Sequence, residues 1–542
     1  MYKIVAFLVS LFISCSCWAI DLWLPAIFAD QMVLQRDQEV PVWGKTAPGA
    51  TVELTFAGQQ LATVAANDGS WKMILSPMAA SAQSRTMSVV AKLNGDGVKL
   101  TIDDVLVGEV WFCGGQSNMY RPFRMLTGEA AEPQYEPVAD YLRQEAASAN
   151  DILFRQFRVG RAQSVFEPKS EGRGNWSKAI AGEVNEFCGT AYFFGRELRR
   201  ELNVPVALIS CNLGGTRIEP WMPINAFDKD SALQSFYRNE INSINQKLAS
   251  YDEEIENKIY QQLRAEWEKC TKEAKKVGVK IPNEPRKPEH PAQDKQVPAT
   301  LYNGMMHPLI PYAVKGAIWY QGESNTGNWP EEYGKRLITM VEAWREAWGQ
   351  NDFYFYCCQL ANYKEPNDLP TDQDDWATVQ FQQSRILQLE NTGLAVLNDI
   401  GEARDIHPKN KIDAGKRISL WALKQAYGKD IVCCGPLYKC SEVKAGKMLI
   451  TFDRVGSGLM VGRKQLMEPV VPVDEPLARF QICGVDGVWK WAEAKIISKD
   501  QVEVWHPSIA NPTEVRYAWS SNPKGANLYN REGLPASLFK TK

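Results

Sequence analysis

Four times between residues 108 and 411 an apolar run stops abruptly and the chain turns through small and polar residues. The stretches read "VWFCGGQSNM" (110–119), "VALISCNLGGTRIEPW" (206–221), "GAIWYQGESN" (316–325) and "GLAVLNDIGEARDIHPKNK" (393–411). Unbroken apolar runs of this length suit strands covered on both faces, as in parallel sheets, rather than strands with one wet side. Between them "GTAYFFGRELRREL", "PEEYGKRLITMVEAWREAWG" and "AGKRISLWALKQAYG" have helical spacing, the second opening on Pro330 and two glutamates. Strands alternating with amphipathic helices predict an α/β domain with a mostly parallel sheet and helices on both faces. In open parallel sheets ligands bind beyond the carboxyl ends of the strands, so all four polar turns fall where a site belongs.

The flanks read differently. Residues 20–107 carry short alternating runs punctuated by Pro-Gly, Gly-Asp and Asp-Gly, which predicts an N-terminal β-sandwich-like domain. The α/β pattern occupies 108–225 and resumes over 301–428. Between these parts, Ile241, Ile244, Leu248, Tyr251, Ile255, Ile259, Leu263 and Trp267 recur at spacings of three and four. That is a long amphipathic helix or a helical hairpin. It leads into the Pro-rich "KIPNEPRKPEHPAQDKQVP", and 226–300 reads as a helical insertion with an extended connector. Strand-like runs return over 429–542, a C-terminal β module.

The first nineteen residues, a short positive end, an apolar stretch and small residues before Ala19, predict a secretory signal peptide and an exported, periplasmic or secreted protein. Cys15 or Cys17 offers an alternative, a lipid anchor. No later segment approaches the length of a membrane span. The net charge of -3 argues against nucleic-acid partners, which call for a basic groove. Of twelve cysteines none stands in a Cys-x-x-Cys pair, and only four histidines are present, so a zinc site is not expected.

Among those histidines, His407 follows an apolar strand after a short loop and precedes a helix, where a general base brought to a strand-end site belongs. Asp405, two residues earlier, is placed to orient the imidazole. Ser117, at a strand-to-helix turn, is the candidate nucleophile and offers its own N–H to an oxyanion. Gly214 and Gly215 expose backbone N–H groups without a Cβ in the way. Gln321 and Asn325 carry side-chain amides able to donate to an oxyanion. Each feature alone has a plain structural reading as a cap, a turn or a loop hydrogen bond; together they describe acyl transfer.

The ordered series "GGQSNM", "GGTRIEPW", "LYNGMMHPL", "WYQGESN" and "DIHPKNK" resembles the motifs of the sialate O-acetylesterase family, within the SGNH-hydrolase superfamily. The resemblance extends from "MVLQRDQEVPVWG" to "VRYAWSSNPKGANLYNREGLPA". It implies an SGNH-type three-layer α/β/α domain and a serine carbohydrate esterase that removes O-acetyl groups from sugars without a cofactor. Residue by residue, Ser117 matches the nucleophile and His407 the base. Gly214 or Gly215, with Gly215 preferred, matches the oxyanion glycine. The third block departs from the superfamily's Gly-x-Asn-Asp, which leaves Gln321 first and Asn325 second as amide donor. The superfamily's acid lies three residues before the histidine, but Arg404 stands there; Asp405 is preferred, with a Ser-His dyad braced by a backbone carbonyl as the alternative. The family's name implies 9-O-acetyl sialic acid as substrate. Acetylated plant polysaccharide such as xylan is the alternative, and a non-catalytic carbohydrate-binding protein the rival class. Arg217 either pairs with a substrate carboxylate or braces Glu219. Trp221 and Trp329 are either sugar platforms or core.

Overall fold

A computed structural model describes residues 20–130, 132–350, 353–367, 369–370 and 373–541. The expected signal peptide, with Cys15 and Cys17, lies outside these residues. The central element is the strand Asp96–Gly115, which changes character along its length. Its first half alternates between buried and exposed and pairs antiparallel with Ser81–Leu93. From Val105 it runs into the interior, and from Val107 every residue to Gly115 is buried. There it pairs parallel with Val206–Asn212 on one side and Gly316–Tyr320 on the other. One strand thus carries the chain across the expected 107/108 division, and four N-terminal strands share one eleven-stranded mixed sheet with the central strands, while Leu22–Trp23, Val40–Thr46 and Ser70–Leu75 form a separate three-stranded sheet.

The central strands run in the order Gly174–Ile180, Asn150–Val159, Val206–Asn212, Asp96–Gly115, Gly316–Tyr320, Tyr354–Cys358, Thr392–Ala395. Only the first pairing in that row is antiparallel. Val206–Asn212 and Gly316–Tyr320 are buried at every residue, the reason their sequences are unbroken apolar runs. Trp111 comes from Asp96–Gly115, Trp319 from Gly316–Tyr320 and Trp344 from the helix Tyr333–Trp348; all three are fully buried. A ring of that size removes roughly 200 Å² from water, about 5 kcal/mol of gross burial at ~25 cal/mol per Å².

The insertion is a helical hairpin. Ser231–Ser250 and Glu253–Val277 are each opened by an aspartate, Asp230 and Asp252, whose carboxylates accept the first free N–H groups. The inner helix buries Leu233 and Ile244. The outer one leaves Ile255, Ile259 and Leu263 about half exposed, so the apolar stripe in the sequence is only partly used. The C-terminal module has its own core around Ile450, Phe480, Val504 and Tyr517. Among the described residues no helix is long and apolar enough to cross a membrane.

Candidate active site

The strand Asp96–Gly115 ends where its neighbour's backbone crowds it. Gly115 has φ +136°, and a Cβ there would lie 2.2 Å from the carbonyl oxygen of Tyr320. Only glycine fits both demands. The chain then turns: the N–H of Gln116 donates to Tyr320 O at 3.0 Å, and Ser117 begins a single helical turn, Ser117–Tyr120. Ser117 is partly exposed while Gln116 and Asn118 are buried.

The loop after Thr392–Ala395 returns to this turn. His407 Nε2 lies 2.9 Å from Ser117 Oγ. Asp405 accepts the His407 backbone N–H at 2.8 Å and holds Oδ1 3.3 Å from Nδ1. Burial pushes the Asp405 carboxyl up, but its contacts with the His407 ring and backbone N–H, with Arg121 nearby, outweigh it and hold it below the usual carboxylate range. A second partner competes for the same ring nitrogen. Arg121 Nη2 lies 2.8 Å from Nδ1. A guanidinium only donates, so this contact needs an unprotonated Nδ1.

Asn118 joins the two halves of the site from behind. Its Nδ2 donates to Glu323 Oε1 at 2.5 Å and to the Ile406 carbonyl at 3.0 Å, and its Oδ1 accepts from Lys411 Nζ at 2.5 Å. Lys411 and Glu323 are both buried. Burial, then Arg121, lowers the Lys411 ammonium to about 7, against the pull of Glu323, Glu402 and Asp405. Burial raises the Glu323 carboxyl, with Asn118 opposing.

The oxyanion candidates sort differently from the sequence expectation. Gly214, not Gly215, abuts the nucleophile: a Cβ on Gly214 would lie 3.5 Å from Ser117 Cβ. Gly215 has φ +66° and faces Lys295. Among the described residues the N–H groups of Ser117 and Gly214 make no hydrogen bond. Gln321 is fully buried, and its Nε2 faces three acceptors, Gln116 Oε1 (3.2 Å), Thr216 O (3.0 Å) and Asn325 Oδ1 (2.8 Å). Two protons are shared among them, and none is left for a substrate. Asn325 is likewise enclosed, with Nδ2 toward Glu219 and Oδ1 accepting from Ile218 N–H and Gln321. Both amides brace the loop in this arrangement, because their N–H groups are already engaged by neighbours.

Gln116 was not expected to contribute. Its Oε1 accepts from Gln321 Nε2 and, at 3.3 Å, from the backbone N–H of Ser324. A backbone donor fixes which end of the amide is oxygen, so Nε2 faces away. Gln116 is buried, and among the described residues its Nε2 makes no hydrogen bond. Its only sequence signal is its place before the serine. Arg121, four residues after Ser117, carried none.

Arg217 is turned away from the nucleophile. Its guanidinium reaches Gln296 O (3.1 Å), Glu240 (3.4 Å) and Glu219 (4.0 Å), so it braces the insertion against the core. Trp221 is fully buried with Nε1 on Thr216 Oγ1, which makes it core and not a sugar platform. Trp329 is 44% exposed, with Arg217 and Arg336 against its ring.

Comparison with known proteins points to one family. A family model described as "Carbohydrate esterase, sialic acid-specific acetylesterase" matches residues 294–416, a span that holds Asp405 and His407 and begins well after Ser117. Sialate O-acetylesterases of Mus musculus and Homo sapiens are each 26% identical over 94% of this chain, covering 92% and 90% of their own lengths. A solved carbohydrate acetylesterase from Xanthomonas citri is 33% identical, with a TM-score of 0.75 over 96% of this chain and 100% of that one.

Proposed function

The chain belongs to the sialate O-acetylesterase family of carbohydrate esterases and is a carboxylic ester hydrolase; from that premise we propose that it works through a serine acyl-enzyme, with 9-O-acetyl sialic acid as substrate. The observation that carries this reading is Ser117 Oγ 2.9 Å from His407 Nε2, with Asp405 behind the ring.

In the reacting form His407 carries its proton on Nδ1, toward Asp405, and Nε2 takes the proton of Ser117 as Oγ attacks the acetyl carbonyl. Negative charge collects on the carbonyl oxygen. The N–H groups of Ser117 and Gly214 receive it, joined by Gln116 Nε2; each such donor is worth about 3–4 kcal/mol of transition-state stabilisation. His407 then gives its proton to the departing sugar hydroxyl. Water, deprotonated by the same nitrogen, attacks the acetyl-Ser117 ester; His407 returns that proton to Ser117 Oγ as the C–O bond breaks, and the acetyl group leaves as acetic acid, which ionises to acetate. Behind the ring, Asn118 ties the serine turn to the backbone before His407, which holds the two reacting atoms in register.

The substrate reading draws support from the sialate O-acetylesterases among the relatives. The experiment compares acetate release from O-acetylated mucin sialic acids and from acetylated xylan, for the intact protein and Ser117→Ala. Release from the sialic acids, abolished by Ser117→Ala, is expected. An active Ser117→Ala variant overturns the serine mechanism; preference for xylan overturns the sialate reading.

A further inference from the structure

A general base needs a free lone pair on Nε2 and a proton on Nδ1. In this structure Arg121 contests that arrangement, because its Nη2 stands at 2.8 Å from Nδ1 while Asp405 Oδ1 stands at 3.3 Å. Arginine cannot give up its charge or accept a hydrogen bond. With Arg121 in place, neutral His407 holds its proton on Nε2 and donates it to Ser117. The hydrogen bonds then run from Arg121 through His407 to Ser117, opposite to the direction in which the serine proton must travel. The site at rest is assembled but set the wrong way.

What holds Arg121 there is slight. Among the described residues it makes no ion pair, and its side chain's hydrogen bond is the one to His407. Asp405 lies close enough for the guanidinium to help hold its carboxyl down, but on the Tyr120 side the surroundings of Arg121 are cationic. Next to it in sequence, Tyr120 carries the guanidinium groups of Arg158 and Arg161 over its ring at 5.8 and 5.2 Å. These residues and Arg173 line a cavity of about 470 Å³. Arg158 has Glu186, but Arg161 and Arg173 make no ion pair among the described residues. Across the site, Lys295 donates to Gly214 O at 2.8 Å. Burial pushes that ammonium down; Glu289 and Asp294 oppose this, while Arg161 and Arg286 add to it. Unneutralised cations gathered at a cleft attract an anion and raise its local concentration.

We propose that Arg121 is a substrate-sensing positioning residue: it keeps His407 in the non-basic tautomer until a carboxylate on the incoming sugar draws its guanidinium away and frees Nδ1 to point its proton at Asp405. The proton moves from Nε2 to Nδ1 by exchange with water, so the ring stays neutral and no proton is gained or lost. A bidentate guanidinium–carboxylate pair is stronger than a guanidinium–imidazole bond, which supplies the direction. The inference rests on the Ser117–His407 reading and assigns the substrate to sugars bearing a carboxylate. A sialic acid and a uronic acid share that chemistry.

The test uses the full chain with Arg121→Met and Arg121→Lys, on five esters: 9-O-acetyl sialic acid, its carboxyl methyl ester, O-acetylated oligogalacturonate, acetylated xylan and p-nitrophenyl acetate. The unaltered protein is expected to prefer the free sialic acid over its methyl ester by about ten- to a hundredfold in kcat/KM, the worth of a charged hydrogen bond. In Arg121→Met that preference disappears while kcat on p-nitrophenyl acetate rises, because Nδ1 is no longer held. Arg121→Lys, which keeps the charge, retains part of the preference. Whichever acidic sugar is cleaved faster identifies the source of the carboxylate. Nitrogen-15 NMR of the histidine-labelled protein reads the tautomer directly: Nε2–H without ligand, Nδ1–H when free sialic acid is bound to Ser117→Ala. An unchanged preference in Arg121→Met, an equal loss on all esters, xylan cleaved as fast as the acidic sugars, or an Nδ1–H tautomer at rest overturns the inference. If Ser117→Ala itself hydrolyses the esters, the serine reading fails instead, a separate result.

Discussion

Asp405 differs from its neighbours in having a partner at both ends of His407, the backbone N–H and the ring. A carboxylate placed so orients the imidazole and stabilises the imidazolium that forms during attack, which a backbone carbonyl does only by orientation. Asp405→Asn therefore lowers kcat by about 10²- to 10⁴-fold, with KM little changed; steady-state kinetics on an acetyl ester measure it. A fall of only a few-fold assigns the chemistry to Ser117 and His407 as a dyad. At this scale the sequence was legible where a residue's type is its chemistry: Ser117 and His407 meet at 2.9 Å across 290 positions of chain. It was not legible where the question was which way an amide faces. Gln116, Gln321 and Asn325 carry the same functional group, and only their neighbours decide which N–H remains open.

The helix Lys411–Gln425 does more than cover the sheet. It starts at Asn410, whose side chain accepts the N–H of Asp413, and sets Lys411 inward on Asn118 instead of outward to water. The consequence is a pH-dependent stability whose sign follows from linkage. The folded Lys411 titrates at about 7, an unfolded lysine at about 10.4. Between these values the unfolded chain binds the proton and the folded chain does not, so stability rises with pH across that window and levels off above it. Lys411→Met removes the titrating group. Its urea midpoint loses that rise between about pH 7 and pH 10. Parallel midpoint curves for the two proteins across that range would contradict a depressed lysine. Periodicity identified this element as a helix. It said nothing of Lys411, because a lysine at a helix start reads as solvated until the packing of Asn118 and Glu323 around it is known.

Across the whole molecule, the insertion meets Arg217 and Trp329 through Glu240 and Phe236 of its inner helix, and reaches the glycine loop through its last residues. Lys295 holds Gly214 O, and Gln296 binds both Gly215 O and the Arg217 N–H. The outer helix Glu253–Val277 buries Ala274 alone. Replacing Ile255, Ile259 and Leu263 with glutamine is therefore expected to shift stability by no more than about 0.5 kcal/mol each, whereas Gln296→Ala, which loosens the glycine loop, lowers kcat with little change in melting temperature. Calorimetry beside esterase kinetics separates the two; a large loss of stability in the triple variant would mean that the outer helix is part of the core. By itself the sequence determined the strand-and-helix alternation, the buried runs, the turn at Gly115 and the chemical class of the site, because these follow from residue type and local spacing. Tertiary structure decided the rest. It joined the N-terminal strands to the central sheet through one continuous strand and buried Trp221. It also turned Arg217 toward the insertion, set Gly214 against Ser117 and put Arg121 on His407. Each of these depends on which distant groups share a volume, and local pattern carries no record of that.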